Sequence, residues 1–432
     1  MNRRLKLVQL LDKYNRPGGR YSYYPTHGQW NQALTKENWI VHVLEEHAQK
    51  KSVDLYVHIP FCFSLCTFCG CNIQIKKHSE DNQYYLEALK NERALYPSDL
   101  QISSVYLGGG TPNFFSAHEF NQLFNILGLN KTQQITIEID PRYLNREHLS
   151  IFKEWNVSHL SIGLQDVDAQ VLSSVNRETN FDHLKEMLQA IQNETKMSFG
   201  FDFIYGLAHQ SEATILTCVE LIKNYTPKKI SLYPFAKVPW QKNNPLAEKA
   251  EQADSVHQLH QFVALFYTEL EKLSYQHLGM GHFEKSSESN SRSITGFTKN
   301  KSSLLIGLGV SAISSGKIGH IQNEKIIDRY QIQMAQRPYA YFKSHQKNNR
   351  ENLIEIFFEQ SLITKSIDLS KLSEICLKEK KFLLQHFKDF LSDELLIEHK
   401  EKNQLDFAPQ SQGDSYGHYF AKSIFQKVEE LF

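Results

Sequence analysis

The sequence has no excess of charge of either sign, because 48 lysine and arginine residues balance 48 aspartate and glutamate residues. Non-specific binding of nucleic acid needs a strong basic field, and a cationic partner would be matched by an acidic tail. Neither feature is present. We therefore expect no nucleic acid and no other highly charged polymer as a partner of this protein.

Long hydrophobic runs are also missing. The longest apolar stretch, residues 304–313, is interrupted by glycines and is far shorter than the ~20 residues that span a membrane. The amino-terminal segment starts with charged residues, and its apolar run is broken by Gln9 and stops at Asp12, so it lacks a signal-peptide core. These absences predict a cytoplasmic protein that does not bind membranes.

Cysteine is sparse, with six residues in a chain of 432, which argues against a disulfide framework in a chain long enough to bury a core. Four of the six nevertheless lie close together after a strand-like run, at Cys62, Cys66, Cys69 and Cys71. The first three can occupy three corners of an iron–sulfur cluster and leave one iron open to a non-protein ligand. Zinc is the main alternative, although the sequence lacks the second cysteine pair that a structural zinc site usually takes from a separate knuckle.

From residue 54 onward, short apolar or β-branched runs alternate with helical patterns, which predicts an α/β fold of parallel strand–helix units. Six strands are predicted, at residues 55–59, 104–107, 135–139, 159–163, 200–204 and 230–233. Helices are predicted between them, at residues 81–96, 117–127, 146–155, 183–195 and 212–224, and a longer one at 254–275. This periodicity does not distinguish a barrel from a doubly wound sheet. We predict an N-terminal arm at residues 1–50, the α/β body at 51–322 and a small, mostly helical or winged lid domain at 323–432.

Polar and glycine-rich motifs follow the predicted strands, where the ligand-facing loops of parallel α/β proteins lie. A glycine run after the second strand lets a ligand approach the backbone closely, and Glu138 at the end of the third strand can accept two hydroxyl hydrogen bonds from a ribose. Asp140, before a proline, suits a turn or helix cap. Asp202, flanked by apolar residues in the fifth strand, needs a partner. Arg177 suits a carboxylate, although taken alone it is typical of a surface residue.

The run from Tyr56 to Cys71 resembles the radical S-adenosylmethionine (SAM) enzymes, and its Cys-x3-Cys-x2-Cys-x-Cys form resembles the oxygen-independent coproporphyrinogen III oxidase family. The resemblance implies an open, partial (β/α)6 radical SAM barrel that binds a 4Fe–4S cluster and two SAM molecules. It implies that Cys71 is not a cluster ligand and that it acts in catalysis together with Tyr56. The implied cluster ligands are Cys62, Cys66 and Cys69. The implied SAM contacts are Tyr56, Phe68, Gly109, Gly110, Thr111, Glu138, Gln165, Arg177, Asp202, Ala236 and Ile313.

The resemblance further implies a function in haem biosynthesis, the oxidative decarboxylation of two propionates of coproporphyrinogen III to vinyl groups, which gives protoporphyrinogen IX. A radical derived from SAM removes a hydrogen from each propionate, so that the reaction needs no general base at that step. The implied partners are a tetrapyrrole substrate and a reduced electron donor of the flavodoxin or ferredoxin type, and the protein is expected to be a monomer.

The sequence departs from the family pattern where substrate is expected. The family usually has an aspartate where Gly281 stands, the stretch 284–292 is shorter, and the segments 293–298 and 413–420 lack the expected asparagine, glutamine and arginine. Arg20 and Arg292 remain as candidate partners for the substrate carboxylates. Two alternatives follow: a radical SAM enzyme for another substrate, of the methyltransferase or haem-cleaving type, and a haem-trafficking chaperone of the same fold. Cys71 and the tyrosine-rich residues 20–26 argue against the chaperone.

Overall fold

The computed structural model describes residues 27–77, 82–130, 132–235, 256–279, 281–285, 304–336 and 338–352, three short strands beyond them and a few isolated residues. Several sequence predictions lie outside these residues. They are the roles of Arg20, Ala236 and Arg292, the tyrosine-rich residues 20–26, and the segments 286–298 and 413–420.

The described residues form seventeen strands and nine α-helices. The strands are β1 (Val53–Ile59), β2 (Phe61–Cys62), β3 (Gln74–Ile75), β4 (Ile102–Gly109), β5 (Gln134–Ile139), β6 (His159–Gln165), β7 (Ser198–Tyr205), β8 (Lys229–Pro234), β9 (Tyr275–Gly279), β10 (His282–Lys285), β11 (Leu305–Leu308), β12 (Ile313–Gly316), β13 (Gly319–Gln322), β14 (Lys343–Gln346), β15 (Ser366–Asp368), β16 (Leu396–His399) and β17 (Gln404–Phe407). The helices are α1 (Lys36–Ala48), α2 (Asn82–Arg93), α3 (Ala117–Leu127), α4 (Arg146–Glu154), α5 (Ala169–Ser174), α6 (Phe181–Glu194), α7 (Glu212–Tyr225), α8 (Val256–Lys272) and α9 (Ile327–Gln336). None of these helices is long and apolar enough to cross a membrane.

One large sheet organises the molecule. Its twelve strands run in the order β14-β13-β12-β11-β1-β4-β5-β6-β7-β8-β10-β9. The six predicted strands, β1 and β4 to β8, are neighbours in chain order and pair in parallel. A doubly wound sheet reverses its strand order at a switch point, and this sheet does not. The strand order therefore decides in favour of the open, singly wound (β/α) arrangement.

The sheet extends beyond the six predicted strands on both sides. β11 pairs with β1 in parallel, and β12 to β14 continue from it as an antiparallel meander. On the other side, β10 and β9 are antiparallel to β8. The sequence did not predict β11 because its glycine-interrupted apolar run has no strand periodicity. Its position beside β1 brings the 307–313 segment next to the strand that precedes the cysteines.

Burial and capping explain why these segments form. Every residue of β1 except Tyr56 is buried, as expected for a central parallel strand covered on both faces. The predicted bounds of α3 are confirmed, because Ser116 and Glu119 form a capping box at its start and Gly128 ends it in a left-handed conformation. Aromatic side chains of α3 then pack on those of α4, with the ring centroids of Phe120 and Phe152 4.8 Å apart.

The ends of the chain differ in how they join this body. In the N-terminal arm, α1 is tied to α2 by a fully buried ion pair between Lys36 and Glu92, with nitrogen and oxygen 3.4 Å apart. Near the C-terminus, β14 still belongs to the main sheet although it lies beyond residue 323. The described residues after 360 include β15, β16 and β17, which form a separate three-stranded antiparallel sheet. The division into three domains stays a prediction.

Candidate functional site

The four clustered cysteines lie on β2 and the loop that joins it to β3. Cys62 and Cys66 are buried, Cys69 is half-buried and Cys71 is exposed. The loop is closed by short backbone bonds, such as that from the Cys69 amide to the Cys66 carbonyl at 3.1 Å. The three predicted cluster ligands are thus more buried than Cys71, the cysteine that the sequence assigned to a different role.

The chemistry of the thiols fits an iron–sulfur cluster. Burial raises the pKa of Cys62 to about 12, and the neighbouring Cys69 and Cys66 add to the increase, while the Thr111 hydroxyl, 3.3 Å from the Cys62 sulfur, opposes it. Such a thiol becomes a thiolate only when a metal cation replaces its proton, as cluster iron does. In the described part of the chain, no group of three or more His, Cys, Asp or Glu side chains could hold a single metal ion.

The glycine run at the end of β4 packs against β1 and the start of the cysteine loop. The amides of Gly110 and Thr111 donate to the carbonyls of Ile59 and Phe61, each at 2.8 Å. Gly109 has a φ of +114°, and a Cβ built there would lie 2.7 Å from the His58 ring. The sequence predicted close approach to a ligand at this run. The structure shows an additional reason for a glycine, which is close approach to β1.

His58 connects β1 to the cysteine loop. Its Nδ1 lies 2.9 Å from the Tyr56 hydroxyl and its Nε2 lies 2.8 Å from the Asn72 carbonyl. Burial lowers the pKa of His58 to about 4, so the ring is neutral at physiological pH and carries one N–H. Because a carbonyl can only accept, that N–H is on Nε2, and Tyr56 donates to Nδ1. The Tyr56 hydroxyl is therefore oriented by a residue that the sequence did not single out.

Glu138 ends β5 beside the glycine run. Its carboxylate accepts from the Tyr106 hydroxyl at 2.8 Å and from the Gly109 amide at 3.2 Å. Burial raises the pKa of Glu138 to about 7, with a smaller contribution in the same direction from Asp202, and these two hydrogen bonds reduce the increase. The two hydrogen bonds thus hold the carboxylate in place but do not offset the full cost of burying its charge. Such incomplete compensation is typical of a residue that binds a ligand.

Arg177 is buried rather than on the surface, contrary to what its sequence context favours. Its guanidinium donates to the Gly163 carbonyl at 2.7 Å, to the Asp140 carboxylate at 3.1 Å and to the Cys66 sulfur at 3.4 Å. Asp140 forms the predicted turn, accepting from the Arg142 amide, and it also binds the Arg142 guanidinium at 2.8 Å. Burial by itself would raise the pKa of Asp140, but these two arginines lower it below its ordinary value. The sequence missed this ion-pair role of Asp140.

Gln165 and Asp202 lie on neighbouring strands, β6 and β7. Gln165 follows a register shift in that pairing and has a φ of +71°, a strained conformation that is uncommon outside turns and functional sites. Asp202 accepts from the Ser161 hydroxyl at 2.7 Å and also from the Ser231 hydroxyl. Burial raises the pKa of Asp202 despite these two bonds. The partners that the sequence required for this acid therefore include neutral hydroxyls.

Two candidates with large apolar side chains lie in the described residues, Phe68 in the cysteine loop and Ile313 in β12. Phe68 is half-buried against a small cluster that contains Val175 and Ile204. Ile313 begins β12, and its carbonyl oxygen would lie 2.6 Å from a Cβ at Gly307 of β11. Both side chains are partly exposed, so each retains surface for contact with a ligand.

Gly281 gives a structural reason for one departure from the family pattern. Its φ is +80°, and a Cβ built there would lie 2.2 Å from the Leu232 carbonyl oxygen. The Leu232 amide also donates to the Gly281 carbonyl at 2.8 Å. An aspartate is therefore incompatible with this backbone, and the chain offers no acidic side chain at this position.

The sequence missed three polar residues that lie beside predicted strand ends, Arg142, His58 and Tyr106, and that placement was the available signal. Arg142 and His58 each have a partner two residues away, Asp140 and Tyr56, whereas Tyr106 meets Glu138 across 32 residues. The partner of Tyr106 could not be identified from spacing. The Arg142 position, two residues after Asp140 and one after a proline, is the strongest of the three signals because a carboxylate and a guanidinium so spaced can share a turn.

Comparison with known proteins agrees with the fold. The profile of the radical SAM superfamily matches residues 56–222. The chain is 29% identical over 342 residues to the oxygen-independent coproporphyrinogen III oxidase of Helicobacter pylori, covering 74% of this chain and 75% of that protein. It is also 29% identical over 352 residues to the enzyme of that name from Salmonella typhimurium, covering 78% and 77%.

A solved structure shows the same fold. Coproporphyrinogen III oxidase from Escherichia coli, described as a radical SAM enzyme, aligns with a TM-score of 0.84 at 23% identity and covers 98% of this chain and 99% of that one. The cysteine motif, the superfamily match and the curated relatives lead to one conclusion: the chain is similar to the oxygen-independent coproporphyrinogen III oxidases of the radical SAM superfamily, and it shares the fold of the Escherichia coli structure.

Proposed function

We propose that this protein decarboxylates two propionate side chains of coproporphyrinogen III oxidatively, without oxygen, and so forms protoporphyrinogen IX. The observation that carries the proposal is the similarity to curated enzymes of that name over about three quarters of both chains. The preserved cysteine spacing supports it, since a cluster with an open iron is needed for chemistry on SAM.

Cys62, Cys66 and Cys69 would hold the 4Fe–4S cluster. The burial of Cys62 and Cys66 and the high pKa of Cys62 support this assignment, because metal binding supplies the positive charge that a buried thiolate needs. When bound, the cluster supplies the electron that cleaves SAM and so generates the oxidant for the propionate. Cys71 would not ligate the cluster, and its exposure leaves it accessible to substrate.

Glu138 would bind the ribose of the first SAM. It lies next to the Gly109 amide, and its partial burial excludes much of the water that would compete for a hydroxyl. Further SAM contacts are proposed at Tyr56, Phe68, Gly109, Gly110, Thr111, Gln165, Arg177, Ala236 and Ile313. Most of the Arg177 donors already serve protein acceptors, so its contribution to a SAM carboxylate would come from what is left of the guanidinium.

Asp202 would contact a second SAM molecule. It is partly exposed, it accepts from neutral hydroxyls, and burial raises its pKa. A cationic ligand such as the SAM ammonium or sulfonium group would lower this pKa, because an opposite charge favours the carboxylate. The buried acid and a positively charged ligand are therefore complementary.

Tyr56 and Cys71 would act on substrate, and His58 would keep Tyr56 in place. The Tyr56 hydroxyl donates a hydrogen bond to His58, and a hydroxyl oxygen that donates can also accept a hydrogen bond. The substrate is a tetrapyrrole with four carboxylates, and Arg20 and Arg292, both outside the described residues, are proposed to bind them. We further propose a cytoplasmic monomer that receives electrons from a reduced flavodoxin- or ferredoxin-type protein.

Anaerobic turnover tests the proposal. The full chain is reconstituted with iron and sulfide and incubated with coproporphyrinogen III, SAM and dithionite, and both protoporphyrinogen IX and 5′-deoxyadenosine are measured. We expect both products. Release of 5′-deoxyadenosine without protoporphyrinogen would refute this substrate and favour a radical SAM enzyme for another one, an alternative that Gly281 motivates because the family's usual aspartate cannot be accommodated there. Stable haem binding with neither product would favour a chaperone.

A further inference from the structure

Two arginines and one carboxylate form a buried group behind Cys66. Arg177 donates from Nη1 to the Cys66 sulfur at 3.4 Å and to the Asp140 carboxylate at 3.1 Å. Asp140 in turn accepts from Arg142 at 3.0 Å from Nε and 2.8 Å from Nη2. All three charged side chains are at most 12% exposed. The group therefore carries one net positive charge in a dry environment next to a proposed cluster ligand.

The contacts around Arg177 fix the orientation of its guanidinium. Arg142 holds Asp140 through a two-point contact, and the same carboxylate oxygen that binds Arg142 Nη2 also binds Arg177 Nη1. The Gly163 carbonyl fixes the other edge of the Arg177 guanidinium, at 3.3 Å from Nε and 2.7 Å from Nη2. With both edges fixed, the remaining Nη1 hydrogen is aimed at the Cys66 sulfur. Arg142 and Asp140 act through Arg177 and are thus positioning residues.

Hydrogen bonds to the sulfurs of an iron–sulfur cluster and nearby positive charge stabilise its reduced form, because reduction adds one negative charge. We propose that the Arg142–Asp140 pair holds Arg177 on the Cys66 thiolate and thereby raises the reduction potential of the cluster. The inference rests on the proposed function, since it requires a cluster at Cys62, Cys66 and Cys69. It assigns Arg177 a task in the cluster itself, in addition to any contact with SAM.

The test measures a potential rather than turnover. The reconstituted full chain, without SAM, is titrated anaerobically with dithionite in the presence of redox mediators, and the reduced cluster is followed by its electron paramagnetic resonance signal. Arg142→Gln should lower the equilibrium constant for one-electron reduction by about tenfold, which is 59 mV for a one-electron couple. The loss of the Arg142 charge and the weaker hold on Arg177 both lower the reduction potential. Arg142→Lys keeps the charge and should therefore lower the potential by less than Arg142→Gln does. It provides the test if the glutamine variant does not fold.

Three further variants separate a positioning role of Arg142 from a general effect of removing a charge. Arg146→Gln is the matched control, because Arg146 is half-exposed and pairs with Glu186 and Glu194 away from the cysteines; it should leave the potential unchanged. Arg177→Gln alone should also lower the potential. If Arg142 acts through Arg177, the double variant Arg142→Gln/Arg177→Gln should shift the potential by less than the sum of the two single shifts.

The outcomes separate the two proposals. A wild-type chain that holds no cluster overturns the proposed function and this inference with it. A wild-type cluster whose potential is unchanged by Arg142→Gln, or is changed as much by Arg146→Gln, overturns the inference alone. Fully additive shifts would show that Arg142 acts by its own charge and would overturn the positioning role.

Discussion

Replacing Glu138 by glutamine should make the ligand-free protein more stable at high pH. Burial raises the pKa of Glu138 from 4.5 to about 7, so the folded protein holds this proton more tightly than the unfolded chain does. The stability linked to the proton is complete below about pH 4.5, decreases as the pH rises toward 7, and is lost above that. At about 1.4 kcal/mol per pH unit, the loss amounts to about 3 kcal/mol.

Glutamine keeps the shape of the side chain and removes its charge. Its oxygen can accept from the Gly109 amide, and its NH2 group can donate to the Tyr106 hydroxyl oxygen, which replaces the two hydrogen bonds of the carboxylate. We therefore expect Glu138→Gln to exceed the wild type in free energy of unfolding by about 3 kcal/mol at pH 8 and to match it near pH 4.5. Urea denaturation of the cluster-free chain across this pH range measures the difference.

The same substitution should weaken SAM binding, because an amide accepts fewer ribose hydroxyl bonds than a carboxylate. Calorimetry on the cluster-loaded protein checks this loss. Glu154→Gln, at an exposed position at the end of α4, is the matched control and should change neither property. A Glu138→Gln protein that is less stable than the wild type at pH 8, or whose advantage does not vary with pH, would refute the reasoning. If Glu138→Gln is more stable than the wild type and binds SAM less tightly, then Glu138 contributes to ligand binding at the expense of stability.

Three further predictions concern the cluster ligands, the turn before β10 and the buried ion pair. Alanine at any of the three proposed ligands should abolish cluster absorbance, whereas Cys71→Ala should keep the cluster and lower turnover; the three ligands are Cys62, Cys66 and Cys69. Gly281→Ala should cost at least about 2 kcal/mol in the free energy of unfolding, because its Cβ would overlap the Leu232 carbonyl at a positive φ. Lys36→Met should cost about 3 kcal/mol by leaving the Glu92 carboxylate buried without its cation. Denaturant unfolding measures the last two.

Each of these has a control and a contradicting result. For the cysteines, Cys218→Ala should change nothing at the cluster, since Cys218 lies buried in α7, and loss of the cluster in Cys71→Ala would contradict the ligand set. Gly128→Ala shares the positive φ but has no atom nearer than 3.8 Å to its Cβ, so it should cost less than Gly281→Ala. Lys51→Met breaks a half-exposed pair with Glu46 and should cost under ~1 kcal/mol; an equal cost for Lys36→Met would contradict the burial argument.

Much of the fold could be predicted because its signals are local. All six predicted strands lie within observed strands of the sheet, and the predicted helices between them differ from α2, α3, α4, α6 and α7 by at most three residues at either end. Burial periodicity and end caps produce these elements from neighbouring residues. The extension of the sheet beyond β1 was not predicted, since the parallel pairing between β11 and β1 joins segments about 250 residues apart and leaves no local pattern.

The sequence by itself determined the elements and the location of the chemistry. Cysteine spacing is a local property, and the carboxyl ends of consecutive parallel strands meet at one edge whatever their final curvature, so Glu138, Gln165 and Asp202 could be placed at one site. Only the tertiary structure decided how the charges there are compensated. Arg177 meets Asp140 across 37 residues and Cys66 across 111, and the pKa of Glu138 depends on burial by segments far along the chain. Electrostatic interactions act through space, and their partners are known only once the chain is folded.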